Sequence, residues 1–314
     1  MRKRSLDMVY ELAKRDERVV FIGSDLSPGL LGEMKKAYPD RYYMEGIAEA
    51  NIIGMAAGMA MDGFVPYVNT IATFITRRCY EQVAVDLCLH DLPVRLIGNG
   101  GGYVYAPLGP THQAIEDIAI MRALPNMTVT AVCDAEEMAR LMTASLDWPH
   151  PIYIRLGKGG DPVVSRPENG FAIGKAIPMG DGADGAVDAL VVSTGVATAA
   201  ALDARKRLGG EGVRCRLLHV HTLKPLDTQA IVAAARGVSV VVTVEEHSVI
   251  GGLGSAVLEA LADTGEPMPR VRRLGIGDEF ASHYGSQQKL MDVWKINADG
   301  IVGAVTDGLA RARQ

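Results

Sequence analysis

Two short segments of this chain put proton-moving side chains where an apolar run begins. Gly46-Ile47-Ala48-Glu49-Ala50-Asn51 sets a carboxylate at the head of Ile52-Ile53-Gly54-Met55-Ala56-Ala57-Gly58-Met59-Ala60-Met61. A helix apolar all round is a buried helix, so Glu49 is drawn toward the interior. Burial favours the protonated acid, which donates a hydrogen bond at neutral pH, whereas the dipole of the helix start favours the carboxylate. The pattern leaves that contest open, and the plainer role for such an acid is simply to complement the dipole. The second segment is Gly109-Pro110-Thr111-His112-Gln113. Thr111 suits an N-cap, and Ala114, Ile115, Ile118, Ala119 and Leu124 follow at helical spacing. This predicts His112 at the first helical position, where the positive dipole end disfavours imidazolium. A neutral imidazole can both give and take a proton near neutrality. The plainer alternative is a surface histidine near a helix start.

The elements that must position these groups alternate in type. Val19–Ile22, Pro93–Ile97, Met127–Val132 and Pro151–Ile154 read as strands, with helix-length segments Ala48–Met61, Phe74–Leu89 and Ala135–Leu146 between them. That rhythm predicts a parallel sheet covered by helices on both faces. From Gly170 to Asp188 the chain is rich in Gly, Pro, Asp and Ala without a period, as a passage between domains would be. The rhythm resumes with Ala189–Val192, Val213–Val220 and Val238–Val244, and Pro225-Leu226-Asp227 and Gly251-Gly252-Leu253-Gly254 open the helices after the last two. The expected fold class is α/β, with two doubly wound, mostly parallel sheet domains.

Composition narrows the function. A chain of 314 residues, 48% hydrophobic and 22% charged, suits about two well-packed domains. Its net charge of -5 offers no basic face for nucleic acid. No apolar run reaches the roughly 20 residues of a membrane span or forms a signal peptide. Cys79, Cys88, Cys133 and Cys215 lack metal-site spacing and read as buried small hydrophobes in a reducing, cytoplasmic setting.

Taken together, the Glu49 and His112 segments resemble the pyrimidine-binding and C-terminal domains of transketolase, a thiamine-diphosphate enzyme. The likeness runs from about Ser5 to about Ala304. It implies that Glu49 contacts a ring nitrogen of the cofactor's aminopyrimidine and so helps to activate the cofactor, which carries the hard chemistry. It implies that His112 reaches substrate hydroxyls. The stretch Thr73-Phe74-Ile75-Thr76-Arg77-Arg78-Cys79-Tyr80-Glu81-Gln82 resembles the family segment lining the pyrimidine, with Phe74 and Tyr80 packed against the ring and Arg77 beside it. An arginine at the Arg77 position looks more like deoxyxylulose-phosphate synthases than like ordinary transketolases. Arg155, in Tyr153-Ile154-Arg155-Leu156-Gly157, matches a phosphate ligand of the family.

Several departures bear on substrate. Leu108 stands where ordinary transketolases carry an Asp that reads a substrate hydroxyl, and Gly100-Gly101-Gly102 lies where they carry a phosphate-binding His. The phosphate-gripping Arg is absent near Ser27-Pro28-Gly29-Leu30-Leu31-Gly32-Glu33. The sugar could therefore be phosphorylated, unusual or non-phosphorylated, with charge supplied by another chain. The diphosphate-binding half is missing as well. Gly180-Asp181-Gly182 imitates its metal motif, but no Asn follows before Asn297, and it reads as a turn. Gly252-Leu253-Gly254 lacks the third glycine of a dinucleotide fingerprint, Val257 standing there instead. His219, His221, His247 and His283 read as structural.

The resemblance thus implies a split transketolase subunit. Residues 1–166 would form the pyrimidine-binding domain, 167–187 a linker and 188–314 the C-terminal domain. A separate diphosphate-binding subunit would complete the site, most simply as α2β2, and would hold most of the Mg²⁺ (or Ca²⁺); this chain has no metal ligands of its own. Self-association runs through the second domain. The reaction implied is transfer of a two-carbon ketol unit from a ketose to an aldose. Two other readings stand beside it. One is the beta subunit of a 2-oxo-acid decarboxylating dehydrogenase, disfavoured by the Thr111-His112 pair; the other is a non-catalytic scaffolding partner.

Overall fold

A computed structural model describes residues 1–26, 29–180, 187–282 and 284–312. Asp181 and Gly182 of the Gly180-Asp181-Gly182 turn, His283 and the Ser27-Pro28 pair lie outside the described residues. The first half forms β1 (Val19–Gly23), β2 (Tyr42–Met44), β3 (Val65–Ile71), β4 (Arg95–Asn99), β5 (Thr128–Ala131) and β6 (Ile152–Leu156). Its helices are α1 (Arg2–Arg15), α2 (Gly32–Ala37), α3 (Glu49–Met61), α4 (Ala72–Ile75), α5 (Tyr80–Gln82), α6 (Asp117–Ala123) and α7 (Ala135–Ser145). The second half adds β7 (Ile177–Pro178), β8 (Ala189–Ser193), β9 (Cys215–His219), β10 (Thr222–Lys224), β11 (Val240–Ser248) and β12 (Arg270–Ile276). Its helices are α8 (Ala197–Gly210), α9 (Thr228–Ala235), α10 (Leu253–Ala262), α11 (Gln287–Val293) and α12 (Ala298–Ala312).

Two sheets result, ordered β10-β5-β6-β4-β3-β1-β2 and β12-β11-β8-β9-β7. All pairings are parallel except those of β10 with β5 and β7 with β9. The expected α/β class with two mostly parallel sheets is what the chain adopts. Strands β1, β4 and β6 are buried along their whole length, as the continuous apolar runs of strands covered on both faces require. On one face α1 and α7 pack Leu6, Val9, Leu141 and Met142 against Phe21, Tyr67 and Ile154. On the other, Ile52, Ile53, Val68 and Leu96 share one core with Leu190 and Val192 of the second sheet and Leu253 and Val257 of α10.

That shared core blurs the expected boundary. Strand β10, well inside the second half, joins the first sheet through Thr222↔Thr130, and β7 lies within the segment read as linker. Strand β3 was hidden in the sequence by Pro66, which removes a ladder donor. The structure accommodates it because the pairing with β4 starts only at Tyr67↔Arg95, one residue later. The edge strand β12 was hidden because Arg270, Arg272 and Arg273 face solvent.

Helix α3 departs from the expected all-round burial. Asn51, Gly54, Gly58 and Met61, at helical spacing, form an exposed stripe, while Ile52, Ile53, Ala56, Ala57 and Ala60 are buried. The single helix expected over Phe74–Leu89 is broken instead. Thr76 leaves helical geometry at φ -107°, ψ -89°, a 3-10 turn follows at Arg77–Cys79, and α5 runs into a π-helical turn at Val83–Leu89. π-Helical insertions of this kind gather at functional sites.

Candidate functional site

The site residues follow the carboxyl ends of strands of the first sheet, where open α/β sheets place ligands. Glu49 follows β2, Phe74 through Tyr80 follow β3, and His112 follows β4. Glu49 is the first residue of α3 and only 4% exposed. Its Oε2 accepts from Arg78 Nη1 at 3.0 Å. The Arg78 guanidinium lies over the Phe74 ring, 3.7 Å from its centroid. Phe74 in turn meets the His112 ring edge-on, with centroids 5.2 Å apart. Glu49, Arg78, Phe74 and His112 therefore form one unbroken run of contacts. The helix breaks at Thr76, between Phe74 and Arg78.

Arg77 fastens the histidine loop. Its Nη1 donates to Glu116 Oε1 at 2.7 Å, and its Nη2 to the carbonyls of Pro110 and Thr111 at 3.3 and 3.0 Å. Half-buried His112 is the last residue of a 3-10 turn, Pro110–His112, and α6 begins only at Asp117. This corrects the expected helix start: Gln113 is extended, Ala114 bridges to Gly101 and Gly102, and the helix is delayed to Asp117. Thr111 caps nothing; its Oγ1 lies 2.8 Å from His112 Nδ1. Beneath Glu49, burial and then the nearby carboxylate push the Cys79 thiol up to about 12.

Two expected site residues are not brought here. The Tyr80 hydroxyl donates to the Ile120 carbonyl at 2.8 Å, and its ring packs on the apolar core rather than on the Phe74 face. Arg155, 6% exposed, belongs to a separate buried network. Its Nε bonds Asp117 Oδ2 at 2.7 Å, and its Nη2 bonds the carbonyls of Ala114 and Glu246 at 3.1 and 2.8 Å. Tyr153 donates to the same Asp117 oxygen at 2.7 Å. Arg155 thus ties strand, loop and second domain together, and the crevice it borders encloses only about 10 Å³.

Sequence reasoning missed Arg78, Asp117 and Glu246. Each carried a faint signal: a doubled arginine in an apolar stretch, an acid inside an apolar helical pattern, and Glu245-Glu246-His247 prolonging an apolar strand. His219, His221 and His247 are fully buried. Burial drives His221 and His247 down to about 4. His219 Nε2 lies 2.9 Å from Glu137 Oε2 across the domain seam. All four cysteines are buried and unpaired. Among the described residues, no helix is long and apolar enough to cross a membrane.

The sequence and fold match known proteins. The family model described as Transketolase, pyrimidine binding domain, matches residues 1–160, and that for Transketolase, C-terminal domain, matches residues 184–301. The chain is 35% identical to an apulose-4-phosphate transketolase subunit of Phocaeicola vulgatus, covering 96% of this chain and 94% of that one. It is 34% identical to the 6-deoxy-6-sulfo-D-fructose transketolase subunit SqwH of Clostridium sp., covering 97% and 92%. A 1-deoxy-D-xylulose-5-phosphate synthase of Syntrophotalea carbinolica is 39% identical, but the chain spans only 46% of its length. Among solved structures, one described as a split gene transketolase, inactive beta4 tetramer, matches with a TM-score of 0.89 at 36% identity over 98% of both chains. The chain belongs to the transketolase family of transferases, with the pyrimidine-binding and C-terminal domains of a beta-type split subunit.

Proposed function

We propose that this chain supplies the pyrimidine side of a thiamine-diphosphate site whose diphosphate side comes from a separate subunit, and that the assembly transfers a two-carbon ketol unit between sugars. The observation that carries the reading is the run Glu49–Arg78–Phe74–His112: a buried carboxylate, a flat aromatic face and an imidazole on adjacent loops. Those are the groups a planar, nitrogen-bearing ring and a polyhydroxylated chain require. Thiamine diphosphate, when bound, supplies the carbon nucleophile that carries the ketol unit. Glu49 would hold a proton at a ring nitrogen, Phe74 would lie against the ring, and His112 would bind and exchange protons with substrate hydroxyls. Arg77 keeps the His112 loop in place. The metal, Mg²⁺ or Ca²⁺, belongs mainly to the partner in this reading.

The exposed stripe of α3 and the 71% exposed Ile47 just ahead of Glu49 leave this face of the chain open to another subunit. An α2β2 assembly closes it, with this chain also associating with itself. The two full-length relatives named above act on different sugars by name, so the acceptor and its phosphorylation stay open. The test is ketol transfer by the complex of this chain, a diphosphate-binding subunit, thiamine diphosphate and Mg²⁺. Glu49→Gln should cut turnover about 10²-fold or more, the scale of a lost proton-transfer group, with assembly unchanged. Full activity in that variant would overturn the assignment and favour a scaffolding role.

A further inference from the structure

The loop that carries His112 is built on a foundation from the second domain. After β4 the chain makes Gly100-Gly101-Gly102, and Gly102 and Ala114 exchange two backbone hydrogen bonds of 2.8 and 3.1 Å. Residues 103–113 are thus a closed excursion whose neck lies at that pair. Immediately inside the neck, the Tyr103 amide donates to Glu246 Oε1 at 2.7 Å. Glu246 projects from β11, in the other sheet, and both its oxygens also accept from Gln287 Nε2 at 3.0 and 2.9 Å. On the far side of the neck, the Ser248 amide donates to the Ile115 carbonyl at 2.8 Å. Tyr103 and Ala106 are buried in the core of the second domain, among Val191, Val242 and Ile276.

Close approaches explain two of the glycines, Gly102 against the second domain and Gly101 against β6 of the first. Gly102 has φ +65°, and a Cβ there would run into the Glu246 carboxyl group. A Cβ on Gly101 would come within 2.6 Å of the Arg155 Nε. The backbone must lie flat on the second domain for the amide to reach the carboxylate. Among the described residues, no hydrogen bond from the second half of the chain reaches Glu49, Phe74 or Arg78.

We infer that Glu246 is a positioning residue for the substrate side of the site: through the Tyr103 amide it sets where His112 stands, leaving the pyrimidine side untouched. The C-terminal domain is then a working part of the substrate site. This rests on the function proposed above for His112.

The test compares Glu246→Ala with Glu246→Gln in the complex with the diphosphate-binding subunit, thiamine diphosphate and Mg²⁺. A glutamine can still accept from Tyr103 and still meet Gln287, so it should restore most of what alanine loses. The alanine variant should raise KM for the ketose donor roughly tenfold or more, the scale on which small misplacements act, while the dissociation constant for thiamine diphosphate stays within about twofold. An unchanged KM would overturn the inference, as would an equal loss of cofactor affinity, which marks general unfolding. A second readout does not depend on activity. By hydrogen exchange of the chain, peptides spanning 100–115 should exchange faster in Glu246→Ala, while those of α3 and α4 remain as in the parent. Unaltered exchange there would sink the clamp whatever the enzyme does. Faster exchange without ketol transfer in the parent complex would uphold the clamp and refute the function instead.

Discussion

The two sides of the proposed site are held in different ways. The pyrimidine side is local: Glu49, Phe74 and Arg78 lie on successive loops of one sheet and hold each other by side-chain contacts. Arg78 is 44% exposed there, so its ion pair and stacking are open to water. The substrate side is remote: His112 stands beside the neck of an excursion anchored by Arg77 in its own domain and by Glu246 and Ser248 in the other. A local contact set can be rearranged by an incoming ligand at small cost, whereas an excursion pinned at its neck keeps its shape only while both sheets keep theirs. Ring recognition would thus rest on adaptable side chains, and hydroxyl recognition on backbone geometry.

The comparison is broken most forcefully at Glu49. Glu49→Gln should remove about 10²- to 10⁴-fold of turnover, with KM for sugars nearly unchanged. His112→Ala should do the reverse on a smaller scale: one or two hydrogen bonds lost to uncharged hydroxyls raise KM about 10-fold, and a donor lacking those hydroxyls should show no change. Equal effects on both donors would show that His112 does not read hydroxyls. Arg78→Ala sharpens the contrast further. Arg78 covers the two groups expected to meet the ring, so its removal should tighten cofactor binding, by about fivefold if its exposed ion pair and cation–π contact are together worth about 1 kcal/mol. Weaker binding, measured by titrating thiamine diphosphate into the complex, would instead make Arg78 a ligand of the cofactor.

A last effect, on stability rather than activity, concerns the seam. Glu245 accepts from the amides of Leu253 and Gly254 at the start of α10, at 2.6 and 2.8 Å. Complete burial nevertheless pushes its carboxyl up to about 7, against an ordinary 4.5, and outweighs those amides and the positive charge of Arg155. Because the folded value is raised, the neutral acid is the form that the fold favours. Its contribution is full below pH 4.5 and is lost as pH rises toward 7, by about 1.4 kcal/mol for each pH unit separating the unfolded and folded values. Relative to the parent chain, Glu245→Gln should gain stability between pH 5.5 and pH 8, read as the difference in urea midpoint. A pH-independent difference would mean that Glu245 stays ionised in the fold.

How much of this could be read from the sequence depended on how local each cause was. Glu49 was legible because its position at the head of an apolar helix is written in adjacent residues, and α3 begins at that residue. His112 was legible as a residue type in its segment, but its expected helix start failed, since the bridge of Ala114 to Gly101 and Gly102, from another part of the loop, delays the helix to Asp117. The buried partners of Arg155, Asp117 and the Glu246 carbonyl, lie far along the chain and left no local trace. The break at Thr76 is one that no periodicity announces. For the fold, alternation sufficed where strands were uniformly apolar. It failed at β3, where Pro66 and Asn69 interrupt the run, and at β10, whose place in the first sheet is settled by tertiary pairing alone.

The most direct test of the central claim is a native mass measurement of this chain's complex purified from its own cells, with companion chains and bound small molecules identified. The account predicts a companion carrying a Gly-Asp-Gly segment and a later Asn, together with thiamine diphosphate and a divalent metal ion. A lone homo-oligomer that takes up no thiamine diphosphate even when mixed with such a companion would contradict it.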